Sequence, residues 1–207
     1  MMARRRRGLF VTFEGTEGSG KTTQIKLLAA SLRKRGFKVL VTREPGGTVI
    51  GKRIRGMLLG TRSVMCSETE TLLYMASRAE LVDQVLLPAL KKGSMILCDR
   101  WIDATRAYQG SGLGVSRAWI ESVGRGATRG LEPDLTFFLD VPVRQGLERA
   151  KRRGKLDRVE QRQLAFHRRV RRGYLELARN YKRFHKISAG AVGPMHEAIL
   201  GVIDRVL

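Results

Sequence analysis

Five short stretches of the chain consist mostly of β-branched, aromatic and other apolar residues, and polar or glycine-rich segments separate them. Runs of this kind are typical of β-strands, and a continuous apolar run such as SMILCD is typical of a strand buried on both faces. The predicted strands are GLFVTFEG (8–15), FKVLVT (37–42), SMILCD (94–99), LTFFLDV (135–141) and FHKISA (184–189).

Apolar residues recur at helical spacing between these strands. After the first strand, Ile25, Leu28 and Leu32 fall on one helical face, and Gly36 follows where a helix commonly stops. The predicted helices are 21–36, 48–59, 68–90 with an end near Pro88, 116–128, a long basic region after 141 that is broken around RRGKLDR (152–158), and 194–206.

Strands that alternate with helices favour a parallel sheet with right-handed crossovers and helices on both faces. The chain shows no internal repeat and no low-complexity linker that would divide it. A length of 207 residues fits one sizeable core. We therefore expect a single α/β domain over residues 1–207.

Charge changes this picture, because the formal net charge is +21 at pH 7. Residues 144–183 hold 15 Lys/Arg against 4 Asp/Glu, and four more arginines form a basic N-terminal tail within residues 1–7. Such blocks suit polyanionic ligands, either nucleotides or nucleic acid, although solvated helix faces explain most individual arginines.

The sequence gives no sign of a membrane span, a secretory signal or a metal centre made of cysteine. No apolar run is long enough to cross a bilayer, and the apolar stretch after the basic start is too short for a secretory signal. Cys66 and Cys98 cannot form a four-thiolate zinc site, and the three histidines show no metal spacing with them. We therefore expect a cytoplasmic protein.

The clearest chemical motif is GTEGSGKT at residues 15–22, which matches G-x-x-x-x-G-K-[ST] in full between a predicted strand and a predicted helix. In this P-loop pattern the glycines let backbone N–H groups face phosphate oxygens. Lys21 reaches the outer phosphates, and the Thr22 hydroxyl can bind Mg²⁺. An ordinary glycine-rich turn rarely has both the motif and this context, so the segment predicts a nucleoside triphosphate site.

Further polar residues follow other predicted strands. Asp99 ends SMILCD, where an acid can face the metal of a P-loop site, and Arg100 stands next to it. Arg43 and Glu44 in TREPGGT follow the second strand. Ligands of open α/β sheets bind at the carboxyl ends of strands, so these residues indicate one site, although Asp99 could also only cap the next segment.

Tyr74 and Arg78 in LLYMASR lie four residues apart and therefore share one helix face. An aromatic face and a planar donor can together bind a nucleobase. By themselves, however, a core tyrosine and a surface arginine are the simpler interpretation.

The basic segment RAKRRGKLDR (149–158) interrupts a helical region at a glycine. Phosphoryl transfer requires neutralisation of developing charge, often by arginines that close over the site, so this segment is predicted to be a lid. A nucleic-acid patch is the alternative. Between residues 149 and 172 the only aromatic side chain is Phe166, which weakens that alternative because base stacking needs aromatic residues.

Taken together, the motifs resemble the thymidylate kinases, which transfer a phosphoryl group from ATP to dTMP. The matching segments span residues 10–181 and are FEGTEGSGKTTQ, TREPGGT, LLYMASR, DRWIDATRAYQG, LDVP and RRGKLDRVE. The resemblance implies a P-loop three-layer α/β/α fold with a central parallel five-stranded sheet and a helical lid at about 149–160. It also implies MgATP as donor, dTMP as acceptor and a homodimer.

By resemblance, Lys21, Arg100, Arg153, Asp99 and Arg149 carry catalysis, and Thr22, Asp99 and Glu17 face the metal. The residues implied for ATP binding are Gly15, Thr16, Glu17, Gly18, Ser19, Gly20, Lys21, Thr22 and Thr23. Those implied for dTMP binding are Glu17, Arg43, Glu44, Arg55, Tyr74, Arg78, Arg100, Thr105, Tyr108 and Gln109. Among these, Arg100 clamps the dTMP phosphate, Tyr74 stacks on thymine, Arg78 binds the base edge and Tyr108 favours deoxyribose.

Gly18 indicates a subtype of this family. One group has a basic residue directly after the loop acid, whereas in the group typical of bacteria the lid arginines supply that charge. Here Arg149, Arg152 and Arg153 are placed to do so, with Arg153 as the first candidate. Two positions depart from the family pattern, because Trp101 replaces the usual tyrosine after Asp-Arg and Ala104 replaces a polar residue.

The expected chemistry is in-line attack of a dTMP phosphate oxygen on the γ-phosphorus of MgATP, with positioning and charge neutralisation supplied by the protein. Two alternatives stay open from the residues alone. One is a kinase for another nucleoside monophosphate, and the other is a basic, ATP-regulated nucleic-acid-binding protein. The proposed activity needs no nucleic acid and no membrane, although the basic surface leaves weak nucleic-acid binding open.

Overall fold

The protein folds around a five-stranded parallel sheet, described by a computed structural model over residues 8–207. The strands in chain order are β1 Phe10–Glu14, β2 Val39–Arg43, β3 Met95–Asp99, β4 Leu135–Asp140 and β5 Phe184–Ser188. Their order across the sheet is β2-β3-β1-β4-β5, and every neighbouring pair is parallel. The predicted α/β fold class and the five strands are confirmed. The basic tail within residues 1–7 lies outside the described residues.

Helices connect the strands and cover both faces of the sheet. They are α1 Lys21–Lys34, α2 Val49–Leu59, α3 Ser67–Leu81, α4 Leu87–Lys91, α5 Ile102–Thr105, α6 Arg117–Thr128, α7 Val143–Arg153, α8 Leu164–Asn180 and α9 Val192–Asp204. Two π-helical segments, Val82–Leu86 and Arg106–Gly112, continue α3 and α5.

The alternation of side chains along β1 divides the core between the two faces of the sheet. Val11 and Phe13 pack with Leu28 of α1 and Ile199 of α9 on one face. Phe10 points the other way, into a cluster formed with α3 and α6. This period of two is the expected consequence of strand geometry, and it yields the predicted three layers.

The predicted helical stretch 68–90 agrees with helical structure that runs from Ser67 to Lys91, although a π-helical segment at Val82–Leu86 interrupts the α-helix. Proline lacks an N–H group and its ring crowds the carbonyl four residues earlier, so it usually ends or kinks a helix. Here the π-helical turn Val82–Leu86 comes directly before it and Pro88 lies in the first turn of α4, where its missing N–H costs little. The local widening therefore carries the chain past the proline.

The helical stretch at 102–112 is not predicted by the hydrophobic pattern. It packs on α8, where a Cβ on Gly173 would lie 2.3 Å from Ser111 Oγ and 3.3 Å from the Cα of Ala107. This close approach, rather than local propensity, stabilises the segment. The last helix also begins earlier than predicted, at Val192, and ends at Asp204.

Candidate active site

A cavity of about 730 Å³ opens at the carboxyl edge of the sheet. Arg43, Asp99 and Arg100 reach it from the ends of β2 and β3, as expected for a parallel sheet. Its other walls are the P-loop, α2, α3, the stretch 102–112 and the segment around α7. The lining residues are Glu17, Gly18, Ser19, Gly20, Lys21, Thr22, Thr23, Arg43, Glu44, Pro45, Arg55, Leu59, Tyr74, Asp99, Arg100, Ala104, Thr105, Tyr108, Gln109, Arg149, Arg153, Asp157, Val159 and Glu160.

The P-loop curls between β1 and α1 and is closed by Lys21. The Lys21 ammonium is buried and donates to the Gly15 carbonyl at 3.0 Å, the Thr16 carbonyl at 3.1 Å and Ser19 Oγ at 3.2 Å. Burial and the nearby charge of Arg100 lower the pKa of Lys21 to about 8. The three acceptors of Lys21 within residues 8–207 are neutral oxygens, so a bound phosphate group would supply a negatively charged partner for its ammonium.

The tip of the P-loop touches α7 through two glycines. Gly18 has a φ of +62°, and a Cβ placed there would lie 2.2 Å from the Gly146 carbonyl oxygen. In return, a Cβ on Gly146 would lie 2.3 Å from the Glu17 carbonyl oxygen. This contact requires glycine on both sides, so in this arrangement no basic side chain fits at position 18.

Thr22 and Asp99 form an oxygen-lined corner between α1 and β3. The Thr22 hydroxyl donates to Asp99 Oδ2 at 3.2 Å. Within residues 8–207 no group of three or more His, Cys, Asp or Glu side chains is arranged to hold a metal ion. One carboxylate and one hydroxyl nevertheless fit Mg²⁺, because this ion usually keeps several waters and takes its other ligands from substrate phosphates.

Glu17 lies at the centre of a buried cluster rather than free in the cleft. Its Oε1 accepts from the Tyr108 hydroxyl at 2.5 Å and lies 3.6 Å from Arg100 Nη2, and His167 Nδ1 lies 3.0 Å from its Oε2. Burial by itself would raise the pKa of Glu17. The hydrogen bond from His167 and the charge of Arg100 outweigh burial and lower this pKa to about 2.

Arg100 joins the P-loop to this cluster. Its backbone has a φ of +75°, an unusual value for a residue with a side chain and one often held by a functional site. Nη1 donates to the Gly15 carbonyl at 2.9 Å and to the Tyr174 hydroxyl at 3.2 Å, and Nη2 donates to the Tyr108 hydroxyl at 2.9 Å. Arg100 and Lys21 therefore converge on one carbonyl oxygen.

Glu14, at the end of β1, is a buried carboxylate that contacts residues next to Arg100. Its Oε1 accepts from the Trp101 backbone N–H at 2.7 Å and its Oε2 from the Tyr174 hydroxyl at 2.7 Å. Burial and the nearby charge of Asp103 raise the pKa of Glu14 to about 8, although Arg100 opposes this shift.

Glu44, which lines the cavity, forms a buried ion pair with Arg78. Arg78 donates to Glu44 Oε2 through Nε at 2.9 Å and through Nη2 at 2.6 Å, and Nη2 also donates to Thr105 Oγ1 at 3.2 Å. Burial raises the pKa of Glu44 to about 7, against the opposing charge of Arg78. Arg78 is only 1% exposed and does not line the cavity, so its predicted contact with a base edge stays a prediction.

Tyr74, Thr105 and Gln109 line the cleft beside this ion pair. The Tyr74 ring reaches the cleft from α3, and its hydroxyl has no hydrogen-bond partner in the described part of the chain. Arg55 is anchored by a hydrogen bond of 3.0 Å to the Pro45 carbonyl. The structure therefore places these predicted dTMP residues on the wall of one cavity.

The arginines of the predicted lid separate into two groups. Arg149 and Arg153 line the cavity, Arg149 Nη1 lies 3.5 Å from the Gly18 carbonyl oxygen, and Arg153 Nη2 donates to Glu160 Oε1 at 2.5 Å. Arg152 is exposed and lies outside the lining. After α7 the chain turns at Gly154, whose φ is +141°, and runs to α8.

Trp101 and Ala104, the departures from the family pattern, have different surroundings. Trp101 is fully buried, where its ring meets Phe10 edge to face at 5.1 Å and lies under the Arg78 guanidinium at 5.4 Å. It therefore belongs to the core. Ala104 does line the cavity, so this replacement removes a polar group from the cleft wall.

Sequence reasoning missed several buried residues that touch predicted site residues, among them Glu70 and His167. Glu70 accepts from Gln109 Nε2 at 2.9 Å, and His167 holds Glu17. Glu70 had a signal, since it precedes Tyr74 by four residues and so shares its helix face. His167 had only the signal of the apolar stripe on α8 that contains Val170 and Tyr174.

None of the helices in the described range is both long and apolar enough to cross a membrane.

Comparison with known proteins gives a consistent result. The family model described as thymidylate kinase matches residues 13–199. The thymidylate kinase of Deinococcus radiodurans is 52% identical over 171 residues, which cover 83% of this chain and 83% of that protein. The thymidylate kinase of Exiguobacterium sp. is 48% identical over 184 residues, covering 88% and 87%. The crystal structure of thymidylate kinase from Ehrlichia chaffeensis superposes with a TM-score of 0.77 at 33% identity, covering 97% and 99% of the two chains.

Proposed function

We propose, since the chain belongs to the thymidylate kinase family and phosphorylates dTMP to dTDP, that MgATP is the phosphoryl donor and that the two nucleotides bind at opposite ends of the cleft. The observation that carries this proposal is the convergence of Lys21 and Arg100 on the Gly15 carbonyl oxygen, at 3.0 and 2.9 Å. Two cations held this close favour a polyanion between them. Their position divides the cavity into a donor end and an acceptor end.

At the donor end, the P-loop amides and Lys21 hold the ATP phosphates in this proposal. Mg²⁺ would be held by Thr22 and Asp99 and would neutralise charge on the transferring phosphoryl group. Glu17 is the third predicted metal ligand. Both of its oxygens already accept hydrogen bonds from Tyr108 and His167, so it fits better as a residue that positions Arg100 and Tyr108.

At the acceptor end, Arg100 binds the dTMP phosphate, with Arg43 and Arg55 nearby. A dTMP phosphate oxygen, already ionised at neutral pH, attacks the γ-phosphorus in line and the bond to the ATP β–γ bridging oxygen breaks. No general base is required, so the protein contributes position and charge neutralisation. Tyr108 is held by Arg100 and Glu17 where a sugar would lie, and Tyr74 offers a ring face to the base.

The lid completes the site by placing Arg149 and Arg153 beside the transferring phosphoryl group. Gly18 supplies no positive charge and leaves no room for a side chain against Gly146. In this proposal Arg149 and Arg153 therefore supply that charge. Arg153 is 66% exposed and paired with Glu160, so a phosphate would have to replace that partner.

A coupled assay of ADP formation tests the proposal. We expect ADP to form from ATP in the presence of dTMP, with loss of activity when Mg²⁺ is chelated and recovery when it is restored. The acceptors dUMP, dGMP and AMP provide the comparison. Preference for a purine acceptor would contradict the assigned base pocket. Steeply salt-dependent binding to nucleic acid without dTMP-dependent ATP use would favour the nucleic-acid alternative.

We also propose a homodimer that forms through the outer faces of α2 and α3. Large apolar side chains are exposed there, namely Val49, Ile50, Met57 and Leu72, with Met57 53% exposed. Exposed apolar patches commonly mark protein–protein interfaces. Sedimentation should give a dimer for the wild type and a monomer for Met57→Glu, and a monomeric wild type would contradict the proposal. The cytoplasmic location stays a prediction.

A further inference from the structure

Glu70 is a buried carboxylate that the reaction described above does not use. It lies on α3 one turn before Tyr74 and is 1% exposed. Arg158 Nη2 and Arg162 Nη2 both donate to its Oε2 at 2.7 Å, and Gln109 Nε2 donates to its Oε1 at 2.9 Å. A buried charge is costly unless it is paired and hydrogen-bonded. Glu70 has both kinds of partner, because two arginines and one amide donate to its carboxylate.

The bond from Gln109 determines which way its amide is turned. An ion-paired carboxylate can only accept hydrogen bonds, so the amide must present its NH₂ group to Glu70. Gln109 Oε1 is then the free end of the amide, and it has no hydrogen-bond partner in the described residues. Gln109 lines the acceptor end of the cleft together with Tyr74 and Thr105.

We propose that Glu70 is a positioning residue for base specificity, because it holds Gln109 with Oε1 toward the acceptor base. This inference rests on the acceptor site proposed above. A carbonyl oxygen at that place matches a pyrimidine whose N3 carries a hydrogen, as in thymine and uracil. Cytosine presents an unprotonated N3, so two acceptors would face each other. A buried polar group left without a partner is the usual source of strong discrimination between similar ligands.

The same carboxylate also contacts Arg158, at the end of the predicted lid, and Arg162, which follows it. Arg158 is fixed at three points: its Nη2 binds Glu70, its Nε donates to the Leu58 carbonyl at 2.7 Å, and its backbone N–H donates to the Leu59 carbonyl at 3.2 Å. Arg162 adds a second guanidinium. The ion pairs therefore keep Glu70 in place while its other oxygen orients Gln109.

The test compares acceptors that differ at one feature of the base. dUMP and dCMP differ at N3 and C4, whereas dTMP and dUMP differ only in the 5-methyl group. We expect Glu70→Gln, whose amide can either donate or accept, to lower the dUMP to dCMP ratio of kcat/KM by about tenfold, the upper range for one hydrogen bond. The dTMP to dUMP ratio should stay unchanged, and the loss for dTMP and dUMP should lie in KM rather than kcat. If dCMP is phosphorylated too slowly to measure, the inhibition constant of dCMP against dTMP replaces its kcat/KM.

A double-mutant cycle shows whether Glu70 acts through Gln109. Gln109→Met keeps the shape of the side chain and removes its amide, so it should lower the dUMP to dCMP ratio by a similar factor. Adding Glu70→Gln to Gln109→Met should then change the ratio by less than about twofold, since no amide is left to orient. If Glu70→Gln does not fold, Glu70→Asp serves in its place, because it keeps the charge while withdrawing it from Gln109.

Asp103→Asn is the matched control. Asp103 is also fully buried and also accepts from two arginines, Arg106 and Arg183, but it has no bond to Gln109. We expect it to lower the melting temperature and to leave the dUMP to dCMP ratio at its wild-type value.

An equal loss of kcat/KM for all three acceptors in Glu70→Gln would overturn the proposal, and so would an unchanged ratio in Gln109→Met. An equal effect of Glu70→Gln with and without the Gln109 amide would also overturn it. Failure of the proposed function would look different, because wild-type protein would then form no dTDP from dTMP and MgATP.

Discussion

The end of the cleft that we propose for the phosphates and the end that we propose for the base are built in different ways. At the phosphate end, one contiguous loop curls its backbone around Lys21, and Arg100 joins it by binding the Gly15 carbonyl. At the base end, single side chains from α3 and the stretch 102–112 are held in place by buried carboxylates. A phosphate can be bound by backbone and charge, whereas one base can be told from another only by individually placed donors and acceptors.

The largest expected effect is a loss of kcat that does not depend on the acceptor base. Arg153→Ala should lower kcat by roughly 10³–10⁵, the usual contribution of an arginine that stabilises phosphoryl transfer. The loss should be the same for dTMP and dUMP, because Arg153 lies away from the base. Steady-state kinetics with both acceptors measures this.

Arg152→Ala is its matched control, since Arg152 is a neighbouring exposed arginine outside the cavity lining. Its kcat should remain within about twofold of the wild-type value, as for an exposed side chain with no contact to the reacting groups. Equal losses in both variants would mean that the lid acts through its total charge rather than through Arg153.

The second prediction concerns Glu14. Unlike Glu70, this buried carboxylate accepts no hydrogen bond from an arginine of the described residues. The pKa of Glu14 rises from an ordinary 4.5 to about 8 in the folded protein. Between these pH values the folded state binds more protons than the unfolded state, so stability should fall as pH rises through that window. Glu14 by itself should contribute at most about 1.4 kcal/mol per pH unit to this slope.

Glu14→Gln should make this decline shallower. The raised pKa of Glu44 acts in the same window and would remain, whereas the lowered pKa of Glu17 acts only below about 4.5. Chemical denaturation between pH 5 and pH 8, without nucleotide, measures the slope. A variant as steep as the wild type would show that Glu14 does not titrate in that range.

The third prediction tests the contact between the P-loop and α7. Replacement of a helical glycine by alanine normally stabilises a helix by roughly 0.5–1 kcal/mol. Gly146→Ala should instead destabilise the protein by about 1–3 kcal/mol, because its Cβ would lie 2.3 Å from the Glu17 carbonyl oxygen. It should also lower kcat, since the P-loop must shift.

Gly201→Ala supplies the comparison, because Gly201 lies on α9 and has no neighbour within 4 Å of an added Cβ. We expect it to raise the melting temperature slightly and to leave kcat unchanged. Stabilisation of both variants would contradict a tight contact at the P-loop.

The smallest effect is expected at the base end. Tyr74→Ala should raise KM for dTMP by about tenfold, within the range of one base–aromatic stacking contact, with little change in kcat. Tyr74→Phe should behave as the wild type, because the ring is kept and the hydroxyl has no hydrogen-bond partner in the described residues. A raised KM in Tyr74→Phe would assign the hydroxyl a role instead of the ring.

Much of the fold and of the phosphate end follows from sequence because their causes are local. Five apolar runs predict the five strands, and the spacing of Gly15, Gly20 and Lys21 predicts a loop whose shape depends mainly on its own backbone. The stretch 102–112 was missed because its helix is stabilised by packing on α8. The helix end near Pro88 was predicted closely, but the π-helical turn before the proline was not, because spacing alone does not show it.

The family, the sheet and the position of the P-loop can therefore be read from the sequence. The pairing of buried side chains depends on the fold, which joins Glu17 to His167 and joins Glu70 to Gln109, Arg158 and Arg162. These last three partners lie 39, 88 and 92 positions from Glu70 in the chain. A motif records contacts between near neighbours. A buried charge takes its partners from whichever segments the fold brings within hydrogen-bonding distance.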